Sequence, residues 1–379
     1  MIMKRFMKKS SRFCFRRILA LIALLIAFFP CTCQAAPPRR VLFIMGNLGI
    51  GGTEQAFISL INLWAVPNTQ VEIYLKNRCG VLEQFLRTDF PIITQKDAFF
   101  RSYDVAACFY GWGANPQTEL GKTHAKRKIQ WIHTDLLQCP VGSFFNHKEM
   151  CEGIDAFICV GQKPAASARK IQPQLSNKIF AIPNVLDQAA IKKKAQLENP
   201  HYPQDGLCNV VSVGRLSGEK GYDRLIRVHS RLDREGLFFR LYIVGDGALR
   251  ISLQRQIHEA GLDSKIFLVG EKSNPYPWIA KADLFALPSL FEGCSVAVNE
   301  AKILARPILM TDVGAAREQI TSEINGLIVD NNEEAIYQGL KRLVKDKNLR
   351  KQFSAALKGF VYDNTSIYNQ IEQVFFQTP

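Results

Sequence analysis

The chain has 379 residues, 47% of them apolar, which is long for a single core and comfortable for two domains of ordinary size. Its formal charge of +14 invites a nucleic-acid reading, but nine Lys or Arg and no acid fall within residues 1–40, which leaves +5 for everything else. The basicity belongs to the N-terminal leader, no basic-aromatic interleaving marks a nucleic-acid platform, and nucleic acid is not expected as a partner.

Residues 1–36 form that leader. Lys4, Arg5, Lys8, Lys9, Arg12, Arg16 and Arg17 precede an apolar segment of twelve residues, Ile18 to Phe29, ended by Pro30. A spanning helix needs about 20 apolar residues, so the pattern ranks a secretory signal, with Cys33–Ala36 as its cleavage region, above a membrane anchor. Three of the ten cysteines lie here, and no C-x-x-C pair occurs anywhere. Cys108 and Cys159 fall inside apolar runs, the usual place for reduced, buried thiols.

From residue 37 to 190 apolar runs such as VLFIM, VEIYL, VAACFY and AFICVG alternate with amphipathic segments at Gln55–Trp64 and Pro164–Ile171. That alternation predicts a doubly wound α/β domain. Between the first run and its helix, Gly49, Gly51 and Gly52 make the tight turn that a strand-to-helix junction requires. His133 follows a short strand beginning near Ile129, and Asn184 follows Pro183. Residues 191–206 have linker character, ending in NPHYPQDG.

A second α/β domain is expected over residues 207–360. Val210–Val213 leads into GRLSGEKGYDRLI, read as strand, turn and amphipathic helix, with Arg215 and Lys220 five residues apart across the turn. Two such cations can reach one diphosphate. Strand Leu241–Val244 precedes a Gly-Asp-Gly turn and a helical register from Ala248 to Ala260, closed by Gly261. Near Val269 the next strand offers backbone groups to a flat base. Leu284–Leu287 is then a buried strand that Pro288 ends; Ser289–Gly293 forms a loop bearing Glu292, and a helix follows with Glu300 near its start. Free N–H groups around Gly293, Cys294, Ser295 and Val296 make a seat for an anionic phosphate. Residues 361–379 supply a last helix.

In order and spacing these segments, together with LYIVGDG, the run from IFLVGEKSNPYPW to GAAREQI, and NGLIVD, resemble the motifs of retaining family-4 glycosyltransferases of the GT-B fold. The resemblance implies two Rossmann-like domains facing across a cleft, the first on the acceptor side, with the closing helix packed back on it. It implies that Arg215 and Lys220 bind the diphosphate of a nucleotide-sugar and that Glu292 contacts the transferred sugar. Glu300 would hold the ribose, Gly51, Gly52 and Thr53 would approach donor phosphate and acceptor, and His133 would line the cleft near the donor sugar. Cys294 stands where many relatives carry a larger residue and is expected to be structural. No metal or other cofactor is expected, since Arg215 and Lys220 stand in for one and no D-x-D motif ends a strand.

The resemblance also points to hexose or N-acetylhexosamine transfer from a UDP-sugar to a glycan or lipid-linked acceptor in surface polysaccharide assembly, by a monomer or weak dimer at a membrane surface. A nucleotide-sugar epimerase and a non-catalytic sugar-nucleotide-binding protein are the alternatives. An NAD-dependent reading fails because GNLGIGG lacks G-x-G-x-x-G and the second strand ends in Lys76 and Asn77. Nucleotide-sugars are chiefly cytosolic in bacteria, so the cytoplasmic face of the inner membrane is favoured. The signal-like start leaves export, a luminal compartment, or an upstream start codon wrongly chosen.

Overall fold

A computed structural model describes residues 36–110, 118–139, 144–198 and 200–376. The leader up to residue 35 therefore lies outside the described residues, and with it the signal-or-anchor question. Among the described residues no helix is long and apolar enough to cross a membrane.

Two parallel sheets organise the chain. The first has seven strands in the order β3-β2-β1-β4-β5-β6-β7. In chain order these are β1 Arg39–Met45, β2 Thr69–Leu75, β3 Ile92–Ile93, β4 Ser102–Cys108, β5 His124–Ile132, β6 Ala156–Cys159 and β7 Ile179–Ala181. The second has six, ordered β10-β9-β8-β11-β12-β13: β8 Cys208–Val213, β9 Phe239–Val244, β10 Ile266–Gly270, β11 Leu284–Leu287, β12 Ile308–Thr311 and β13 Leu327–Val329. Helices cover both faces, so the central strands are continuous apolar runs and not alternating ones. Val41 to Met45 of β1, between β2 and β4, are all buried.

Each sheet reverses its winding once, between β1 and β4 in the first and between β8 and β11 in the second. Crevices open at the carboxyl ends of strands flanking such switch points. This is the two-domain doubly wound arrangement that the resemblance implies.

Some elements depart from the sequence expectations. The strand before His133 is not short: β5 runs nine residues and begins at His124, because its polar first half is held in the ladder by β4 while only its second half is buried on both faces. The helix Gln188–Lys194 runs through the expected boundary at residue 190; Asp187 caps it by accepting the Ala190 N–H at 2.8 Å, so the first part of the expected linker is helical. The helix after β9 starts at Arg250, two residues later than its register suggests.

The last helix, Asn364–Phe376, lies on the first sheet's side. Phe375 is buried, its ring 6.0 Å from Phe43, 5.8 Å from Trp64 and 5.9 Å from Trp131. Tyr368 donates its hydroxyl to the Leu60 carbonyl at 2.9 Å, and Arg39 pairs with Glu372 at 3.3 Å. A segment at the end of the chain thus completes the core under β1.

Candidate functional site

A cavity of about 410 Å³ lies where the two switch points face each other. From the first sheet it takes Ile50 to Gln55 after β1, Tyr110 after β4, and His133 and Thr134 after β5. From the second it takes Val213 to Arg215, Glu219 and Lys220 after β8, Val244 to Asp246 after β9, Glu271 and Lys272 after β10, and Phe291 to Ala297 with Glu300 after β11. Asn184 also lines it. Of the residues singled out in sequence, Val269 stands apart: the ladder skips it between Leu268 and Gly270, and the wall there is Glu271 and Lys272.

The two cations reach the cavity by different means. Arg215 is exposed on the loop that leaves β8. Lys220 ends a short turn, Gly218–Lys220, and its Nζ donates to Glu292 Oε1 at 2.6 Å; Ser289 Oγ donates to the same oxygen at 2.7 Å. Both partners of that ion pair are largely covered. The Glu292 loop is itself fixed from below by Arg224, a buried guanidinium that donates to the carbonyls of Pro288 (2.9 Å) and Ser289 (2.8 Å) and to Asn331 Oδ1 (2.7 Å). Thr311 Oγ1 adds a bond to Ser289 O at 2.6 Å. Sequence reading missed Arg224. Its signal was a charged residue among Tyr222, Leu225, Ile226 and Val228 on the buried face of the helix Tyr222–Arg234.

The helix Val296–Ile303 points its amino end into the cavity, capped by Ser295, whose Oγ accepts the Val298 N–H at 3.4 Å. Not all the amides there are free. Ser295 N–H donates to Gln319 Oε1 at 3.1 Å while Gln319 Nε2 donates to Ser295 O at 2.7 Å, so a buried amide side chain clasps this residue on both sides. Burial pushes the Cys294 thiol up to about 12, far from the thiolate a nucleophile needs.

Glu300 is the fifth residue of a helix that begins at Val296, as the sequence register suggests, and it is only 4% exposed. A helical side chain leans towards the amino end, which returns this carboxylate to the cavity. Burial raises it to about 7, partly offset by a hydrogen bond from Tyr276 and by the nearby charge of Lys194. An acceptor group held at such a pH is sensitive to what donates to it.

On the opposite wall His133 Nε2 lies 2.6 Å from the Phe109 carbonyl, so the ring donates from Nε2 and keeps Nδ1 as an acceptor. Burial holds it down to about 4, with the carbonyl working the other way, and the imidazole is neutral at physiological pH. Glu54, in the first turn of the helix Gly52–Asn62, is raised by burial despite the positive field of Arg215. Gly52 stands against Val296 across the cavity. At Gly293 the walls touch: a Cβ there would sit 2.2 Å from the His133 carbonyl oxygen, and Asp135 N–H donates to Glu292 O at 3.1 Å.

Residues 194–359 match the family model for glycosyl transferases group 1. Among curated relatives, the N-acetylgalactosamine-N,N'-diacetylbacillosaminyl-diphospho-undecaprenol 4-alpha-N-acetylgalactosaminyltransferase of Campylobacter jejuni is 36% identical over 151 residues, 39% of this chain and 40% of that protein. The O-antigen biosynthesis glycosyltransferase WbnH of Escherichia coli is 36% identical over 178 residues, 45% of this chain and 50% of that one. The matched stretches thus span half or less of these two relatives' own lengths. Solved structures extend the likeness in fold. S. aureus TarM, crystallised with Fondaparinux, alpha-GlcNAc-glycerol and UDP, superimposes with a TM-score of 0.72 at 14% identity, covering 89% of this chain and 100% of TarM. Anabaena HepE in complex with UDP gives 0.71 at 16% identity, over 89% and 100%. Both superpositions embrace the two Rossmann-like domains of the GT-B fold.

Proposed function

We propose that this chain, whose residues 194–359 belong to the group 1 glycosyl transferases, moves a hexose or N-acetylhexosamine from a nucleotide diphosphate sugar to a glycan or lipid-linked acceptor. The observation that carries the reading is the convergence of Arg215, Lys220 and the amino end of the helix Val296–Ile303 on one cavity between the two switch points, beside Glu292 and Glu300. Two cations and a helix terminus are a seat for a diphosphate, and they favour the charge that grows on it as the sugar departs.

In this reading Lys220 turns from Glu292 towards phosphate oxygen when donor arrives, and Glu292 then accepts from sugar hydroxyls. Glu300 accepts from the ribose. His133, neutral, accepts a hydrogen bond from a sugar hydroxyl through Nδ1 and takes no proton in the transfer step. The acceptor enters against Gly51, Gly52 and Thr53. Arg215 and Lys220 take the place a metal holds elsewhere, so turnover is metal-independent, and the leaving diphosphate takes the acceptor proton on the same face, which retains the anomeric configuration. UDP is the nucleotide we favour, in line with the UDP-bound structures of similar fold, and surface polysaccharide assembly at the cytoplasmic membrane face is the setting, in line with the O-antigen relative.

The test is a screen of the purified chain against UDP-, GDP-, ADP- and dTDP-sugars for nucleotide release, with and without lipid-linked glycans, repeated in EDTA. Release from a UDP-hexose or UDP-N-acetylhexosamine, unchanged by chelator and giving a product of retained configuration by NMR, is expected. A chain that releases nucleotide from no donor would sink the proposal.

A further inference from the structure

The helix Gln162–Ile171 begins with no capping side chain of its own: Gly161 is its N-cap and no acid lies in its first turn. Its first amides are satisfied from the other domain. Glu318 Oε2 accepts the Gln162 N–H at 2.7 Å and Glu318 Oε1 the Lys163 N–H at 2.8 Å, a two-pronged cap supplied from 155 residues away. There is no spare room in the contact, since a Cβ on Gly161 would lie 2.9 Å from that of Ala315. A carboxylate at a helix amino end gains both hydrogen bonds and the field of the helix.

Glu318 sits on a single turn, Ala316–Gln319, that together with the two residues before it holds the loop bearing Glu292. Its neighbour Gln319 clasps Ser295 on both sides. Ala315 N–H donates to Gly293 O at 2.7 Å, and Gly314, at φ +48°, lies so close that a Cβ would stand 2.5 Å from Glu292 O. Gly314 N–H also donates to Gln138 Oε1 of the first domain at 3.0 Å. Residues 292–295 are therefore pressed between segment 133–138 of one domain and segment 314–319 of the other. The end of segment 314–319 is pinned to the first domain by Glu318.

We infer that Glu318 is a positioning residue for transfer: by capping the helix Gln162–Ile171 in trans it fixes the turn Ala316–Gln319, and through Gln319 and Ala315 it sets the loop carrying Glu292 and the phosphate-facing amides. The effect on turnover rests on the transferase reading above. The latch itself does not.

Two measurements on the full chain separate them. Amide hydrogen exchange over residues 160–165 reads the latch directly. In Glu318→Ala the amides of Gln162 and Lys163 exchange about tenfold faster, the scale of losing one cap, while β9 is unchanged. Steady-state release of UDP from the best UDP-sugar, normalised to folded enzyme, reads positioning: kcat per folded chain falls about tenfold in Glu318→Ala with KM moving less, and Glu318→Asp recovers part of it, whereas a merely structural loss would lower the folded fraction and leave kcat per folded chain unchanged. Wild-type exchange at residues 162 and 163 in Glu318→Ala overturns the latch, and altered exchange with full kcat overturns the positioning role. Altered exchange in a chain whose wild type releases nucleotide from no sugar leaves the latch standing and refutes the transferase reading.

Discussion

The two walls of the cavity work by different physics. The second domain presents charge: Arg215, Lys220, Glu292 and Glu300 converge from the loops after β8 and β11. The first presents shape, with Gly51 and Gly52 bringing bare backbone forward and a histidine held neutral by burial. Charge must come from particular side chains at particular spacings, whereas shape can be made by many sequences that bring a backbone close. The charged wall is accordingly the part that sequence comparison also finds, with the family match confined to residues 194–359.

That contrast can be broken or sharpened by experiment. The largest effect is expected from the shaped side's dependence on the chain terminus: Phe375→Ala removes a buried ring from between Phe43, Trp64 and Trp131 and should cost about 3–5 kcal/mol of stability by denaturant titration. If the first domain kept its stability, the last helix would be an appendage and not part of its core. On the charged side Arg215→Ala should lower kcat/KM by about 10²–10³-fold, roughly 3–4 kcal/mol, with little change in melting temperature because the side chain is exposed. A stable variant with full kcat/KM would remove Arg215 from the site.

Glu300 tests the charged side without a substrate. Its folded value of about 7 lies above the ordinary 4.5, so between these limits the folded chain keeps a proton that the unfolded chain releases. Stability from this group therefore falls as pH rises through that window, by at most about 3 kcal/mol, and is fully lost above it. Glu300→Gln should flatten that slope in melts across pH, and in the wild type UDP affinity should strengthen as the carboxylate ionises. The same slope in Glu300→Gln would mean that another group is responsible. The smallest effect is at the seam: Ser295→Ala, which loses the cap on Val298, should cost about 1 kcal/mol or less in thermal melts. A loss of several kcal/mol would show that Ser295 holds more than its own helix.

Much of this site was legible because local chemistry writes itself in order. Pro288 ends β11, Ser295 starts the next helix, and a Gly-rich turn follows β1; each is dictated by donors, φ angles and helix termini within a few residues. Arg224, Gln319 and Glu318 were not legible in that way. Each acts on backbone that is remote in sequence, and while Arg224's apolar neighbours mark it as buried, nothing near it in sequence says which carbonyls it holds.

By itself, then, the order of residues determined two doubly wound domains, the loops that bear the charged groups, and the helix start at Ser295 beside the cavity. Tertiary structure alone decided that Ser295's amide is taken by Gln319, that Glu300 is buried, and that Glu318 caps a helix of the other domain. Elements follow from short-range periodicity and capping, but hydrogen bonds between distant segments and the burial that shifts a carboxylate arise only when the two sheets are brought face to face.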